Sequence, residues 1–206
     1  MLNKQLGLNL VEKSVFMGFL ISILCSFVNF QSRCDKIKRD VFRLHIIANS
    51  DSDEDQKLKI KIRDSILNKL REQKFSSLKD TKKFVFDNLN TLKNITKNEI
   101  NSNGLNYDLK IEVCKSNFNN REYENLILPA GDYDSLKVNI GDGEGKNWWC
   151  VLFPPICVGA SKGKVEVNGL LTEDEIDMVE NKDKYEIEFK VVELINRLHR
   201  LFRLNI

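Results

Sequence analysis

The sequence predicts an α+β fold: a small, mostly antiparallel sheet with helices packed on one face, preceded by an N-terminal apolar signal or anchor helix. Three observations carry this. Apolar residues alternate at period two in 42–46, 107–113 and 136–140, as they do in half-buried strands. Leu58, Ile62, Ile66 and Leu70 recur at intervals of four, the stripe of an amphipathic helix. The run Val15 to Phe30, VFMGFLISILCSFVNF, holds no charge.

That run follows Lys4 and Lys13, the layout of a secretory signal. A spanning helix needs about 20 apolar residues, so the run is short for an anchor. Its cleavage signal is weak, because Ser26 has Leu24 where a second small residue belongs. Arg33, Lys36, Lys38 and Arg39 follow it, and the positive-inside tendency then argues against export. A buried core helix is the alternative. We read residues 1–30 as a signal peptide or membrane anchor, 31–160 as the α+β domain, and 161–206 as a loop with a C-terminal helical extension.

In DVFRLHIIANS (40–50), Phe42, Leu44 and Ile46 point one way and Arg43 and His45 the other, which predicts a half-buried strand. Ser52 with Asp55 marks a helix start, and Asp53, Glu54 and Asp55 suit the positive end of its dipole, so a helix is expected over about 53–73. Ser77 or Asp80 caps a second helix over roughly 78–98, lined by Phe84, Val85, Leu89, Leu92 and Ile95. NSNG (101–104) is turn chemistry. YDLKIEV and SLKVNI read as strands on either side of the break at LPAG (128–131), and WWCVLF as one more, ended by Pro154 and Pro155. GASKGKVEVNG reads as a loop, and Thr172 with Glu175 as a capping box. Ile187, Val191, Leu194, Ile195, Leu198 and Phe202 repeat at helical spacing.

The chain has 206 residues and a formal net charge of +2, with its basic groups interleaved with acids, so no nucleic-acid partner is expected. GDGEGKN (141–147) fails the phosphate-loop spacing, and Asp142 and Glu144 would repel phosphate. His45 and His199 stand far apart without a zinc motif, and the acids at 51–55 lack the glycine turn of a calcium loop, so no metal and no cofactor is expected. Outside the cytoplasm Cys150 and Cys157 form a candidate disulfide; free buried thiols are the alternative. Cys150 with His45 is the one candidate nucleophile–base pair, although no helix N-terminus is predicted beside Cys150 to activate it.

Trp148 and Trp149 are consecutive, so on a strand they face opposite sides. One fills the core and the other is a candidate anchor for a protein partner, positioned by Gly145, Lys146 and Asn147 and framed by the two prolines. Arg43, beside His45, hints at a polar patch, and Arg121 and Tyr123 are candidates for the same surface as Trp148.

FRLHIIANSDSDEDQKLKIKIRDSIL (42–67) and LPAGDYDSLKVNIGDGEGKNWWCVLFPPIC (128–157), with the apolar N-terminus, resemble the stage II sporulation protein R family of endospore-forming bacteria. Between these blocks, CKSNFNNREYENLI departs from the family's usual wording. The resemblance implies a signalling protein and brings no catalytic residues. It implies export across the forespore membrane into the space facing the mother cell. There, such a protein triggers a membrane-embedded aspartic peptidase that processes pro-sigma-E. Trp148, Trp149, His45, Asn49 and Asn147 are the partner-binding candidates. An exported cysteine hydrolase using Cys150 and His45 is the competing reading.

Overall fold

The structure is a computed structural model and describes residues 9–123, 126–156 and 171–203. Helix α1 (Leu10–Asp40) leads into strand β1 (Phe42–Ile47). A helical layer follows: α2 (Asp53–Arg71), α3 (Leu78–Asp87) and α4 (Leu89–Ser102). Strand β2 (Leu109–Phe118) is joined through the short hairpin β3 (Arg121–Tyr123) and β4 (Leu126–Leu128) to β5 (Gly131–Ile140) and β6 (Asn147–Phe153). Helix α5 (Glu173–Glu180), a 3-10 turn and helix α6 (Glu186–Arg203) close the described chain. The expected 159–169 loop and Cys157 lie outside the described residues.

The main sheet has the order β2-β5-β1-β6. β2 with β5 and β1 with β6 are antiparallel; β1 and β5 are parallel, because the helical layer, β2 and the small hairpin intervene between them and bring the chain back to the end of the sheet from which β1 starts. Local signals set the elements. Ser52 accepts the Asp55 amide and starts α2, and Ser77 does the same for α3 at Asp80. The single helix expected over 78–98 is instead two. At Asn88 the backbone leaves helical geometry and the side-chain amide donates to the Phe84 carbonyl, the local competition that makes asparagine a helix breaker. Thr172 and Glu175 form the capping box of α5.

Phe42, Leu44 and Ile46 face α2–α4, in a core with Ile62, Ile66, Leu92, Leu136 and Val138. These helices make the expected layer on one face of the sheet. The opposite face is covered as well, by the C-terminal turns of α1 (Phe30, Cys34, Ile37), the small hairpin, α5 and α6. β1 is therefore a central strand buried on both sides, not the half-buried strand its alternation suggests. Arg43 and His45 face this second core, and Arg43 is fully buried. The C-terminal helices thus share a core with the residues of 31–156.

Candidate functional site

The C-terminal ends of β1 and β5 lie side by side because the two strands are parallel, so the turns that leave them meet. The first is 48–52 and the second is the glycine loop 141–146. The Gly145 amide donates to the Ala48 carbonyl and the Glu144 amide to Asn49. Asn49 Oδ1 accepts the Asp142 amide at 3.0 Å, and Asp51 Oδ1 accepts that of Lys146 at 2.7 Å. No room is left between the turns: a Cβ on Gly145 would lie 2.2 Å from the Ser50 carbonyl oxygen. Gly141 and Gly143 hold φ of 56° and 66°, a region open to glycine.

Asp55 ties this corner to α2. Its carboxylate accepts the Ser50 hydroxyl at 2.6 Å and the Asn49 amide at 2.9 Å. Burial pushes its carboxyl up, but these hydrogen bonds, with those of Tyr107 and Ser52, hold it below the usual carboxylate range. Lys59 Nζ donates to the Lys146 carbonyl at 2.8 Å, directly before β6 begins. The run of acids and the run of glycines are two halves of one clasp.

The clasp fixes the start of β6. Asn147 pairs with Ile47, Trp148 with Ile46 and Trp149 with His45. The two indoles take opposite faces. Trp148 packs on the α2 side, where the Arg63 guanidinium lies 4.5 Å above its ring. Trp149 lies on the other side, stacked on His45 with 3.8 Å between ring centroids and 22° between planes. Phe118 closes against Trp149 at 4.6 Å, and Arg121 reaches over it at 5.9 Å. His45 Nε2 and Asn147 Oδ1 are 2.7 Å apart, which puts the ring proton on Nε2 and leaves Nδ1 buried without a partner. Burial lowers the imidazole to about 4, against the Asn147 hydrogen bond and with help from Lys137 and Arg43, so the ring is neutral at pH 7.

The predicted patch is therefore divided. His45, Trp149 and exposed Asn147 come together, joined by Arg121. Trp148 is on the far face, away from Arg121 and Tyr123. Asn49 uses its amide on the glycine loop and Asp55. Arg43 is a core residue: its guanidinium lies 3.8 Å from the Phe118 ring centroid and 4.7 Å from that of Tyr133, and it donates to the Tyr123 hydroxyl. Arg63 on Trp148 was not among the expected site residues, although its place beside Ile62, at the border of the α2 stripe, was a usable signal.

Cys150 packs with the α2–α4 core, opposite in face to His45, and is disulfide-bonded. A sulfur in a disulfide is no nucleophile, and the sheet stands between it and the imidazole. The Cys150–His45 pair is thereby excluded as a catalytic dyad. Among the described residues no group of three or more His, Cys, Asp or Glu is placed to hold a metal.

The residues of the clasp and of β6 fall within a family match. The family model for stage II sporulation protein R matches residues 38–162. The chain belongs to the stage II sporulation protein R family. Its match runs from the last turn of α1 past the end of β6, leaving out the apolar part of α1 and the C-terminal helices. Stage II sporulation protein R of Bacillus subtilis (strain 168) is 35 % identical over 123 residues, which cover 59 % of this chain and 55 % of that protein. The chain thus spans about half the length of the curated relative it matches. No solved structure matches. Membership makes this a sporulation protein, and its apolar N-terminal helix is compatible with a signal or an anchor.

Proposed function

We propose that this protein is an exported signal of endospore formation. It crosses the forespore membrane, binds a membrane-embedded aspartic peptidase of the mother cell in the intermembrane space, and raises that peptidase's processing of pro-sigma-E. The observation that carries the reading is the His45–Trp149–Asn147 group on a clasped strand. It is a partly buried indole held in one orientation by a neutral histidine stacked on it. Such a group suits recognition: the aromatic surface is preorganised, so little entropy is lost on docking. Activation requires tighter binding to the peptidase's active state than to its resting state, since equal affinity shifts nothing.

The test is co-expression of the chain with the candidate peptidase and pro-sigma-E in a non-sporulating host. Maturation should need both proteins. Arg121→Ala and Arg121→Glu change an exposed residue beside Trp149, so the protein should melt as wild type while the processed fraction falls about tenfold, a loss of about 1.4 kcal/mol of binding. Wild-type processing by both variants would reject this surface. Maturation without the chain would reject the function.

A further inference from the structure

We infer that α1 is not removed on export but retained, a membrane anchor continuous with the folded domain. The helix runs unbroken from Leu10 to Asp40, opened by an Asn9 cap with its Glu12 capping box. No charge occurs between Lys13 and Arg33, a stretch of about 28 Å at 1.5 Å per residue. The hydrocarbon core of a bilayer is about 30 Å.

The apolar residues of that stretch cover every side of the helix, and from Val15 to Ser26 every residue is exposed. Val15 is 68 % exposed, Phe19 63 % and Val28 65 %. A helix that is apolar all round needs an apolar surrounding, and Val15 to Ser26 find none among the described residues. Its length, uniform hydrophobicity and position fit lipid as that surrounding.

One turn further on, the same helix is core. Phe30 is 6 % exposed and Cys34 and Ile37 are fully buried. The Phe30 ring packs on Tyr185 at 5.8 Å and on Phe189 at 5.2 Å. Lys36 pairs with the buried Glu175 of α5 at 2.9 Å, and the Lys38 side chain fills the space that a Cβ on Gly131 would need. The span therefore enters the fold without a linker. A cut after Phe30 would take away residues that the α5–α6 core needs. A cut before it would have to use the Leu24/Ser26 pair, which lacks the small residue required three positions before the bond. Retention also places the domain at the membrane surface, where a membrane-embedded partner would meet it.

The inference rests on the exported topology proposed above, but its readout is membrane association, not sigma-factor maturation, so the two fail separately. The full chain, tagged at both ends, is produced in a bacterium that exports it. The expected result is one full-length band carrying both tags. It should stay with the membranes through an alkaline carbonate wash, with its C-terminal tag open to protease added outside spheroplasts. A soluble product that has lost the first tag and begins between residues 14 and 33 would overturn the inference, as would full-length protein stripped by alkali. Ile21→Asp, placed in the span far from the core, should reduce the alkali-resistant fraction severalfold; unchanged retention would also count against a bilayer-spanning α1.

Discussion

His45 lies flat on Trp149 across the β1–β6 ladder, 3.8 Å between centroids, with its Nε2 on Asn147 two residues back along β6. The stack joins the two sequence blocks that mark the family, although the residues are far apart in the chain. It also fixes what the histidine can do. A ring that donates through Nε2, with a buried Nδ1, orients a tryptophan; it is poorly placed to carry protons.

This gives a pH dependence with a definite sign. The folded imidazole titrates at about 4 and the unfolded one near 6.5. Between these values the unfolded chain binds more protons, so stability falls as pH drops below 6.5 and the penalty is complete near pH 4. Above 6.5 this group contributes no slope. The full penalty is about 3 kcal/mol. Asp55, with its lowered carboxyl, adds a further loss only at more acidic pH. Urea unfolding of wild type and His45→Gln between pH 4 and 8 checks this: the wild-type slope between 4 and 6.5 should flatten in the variant. Parallel curves would show that another group is responsible.

The glycine loop makes a second prediction, from distance. Gly145→Ala would put a methyl group against a backbone carbonyl oxygen that is itself part of the clasp, and backbone cannot swing aside as a side-chain tip can. The expected loss is about 3 kcal/mol. Gly104→Ala is the control. Its φ is 75° with no atom within 4 Å of the added Cβ, so only the left-handed conformation is penalised, about 1 kcal/mol. Thermal unfolding of the pair should rank Gly145→Ala well below Gly104→Ala. Equal melting temperatures would mean that the two turns are not in contact.

What could be read from the chain was whatever depends on near neighbours. The alternation of 42–46, the Ser52 cap, the four-residue stripe of α2 and the opposite faces of Trp148 and Trp149 follow from local periodicity and hydrogen bonding. What could not be read depends on partners distant in sequence. Arg43 and His45 look like a solvent face because polar side chains alternate with apolar ones. Only α1, the small hairpin, α5 and α6, packed on that side, turn them into core. Strand parity alone places residues on a face within one strand but does not relate the faces of two strands. Whether Cys150 meets His45 therefore waited on the β1–β6 register. The division of Asn49 from Trp149 had the same cause.

Arg43 is the sharpest instance of that hidden core, and it carries the last prediction. Its guanidinium is buried with Nε and Nη1 unpaired, and its charge is met by the rings of Phe118 and Tyr133 and by the Tyr123 hydroxyl. A flat delocalised cation can lie against aromatic rings at modest desolvation cost, whereas an ammonium is more strongly hydrated and has no plane to stack. Conservation of charge and conservation of shape therefore pull apart here. Arg43→Lys keeps the charge and loses the stacking, and should cost about 2 kcal/mol or more. Arg43→Met drops the charge and keeps most of the volume. It should stay within about 1 kcal/mol of wild type, or exceed it, because a buried cation is replaced by an apolar chain among aromatic rings. Chemical denaturation of both variants at pH 7 decides between the two. If lysine is tolerated and methionine is not, the charge itself holds this core together, and an acidic partner for Arg43 has to be sought.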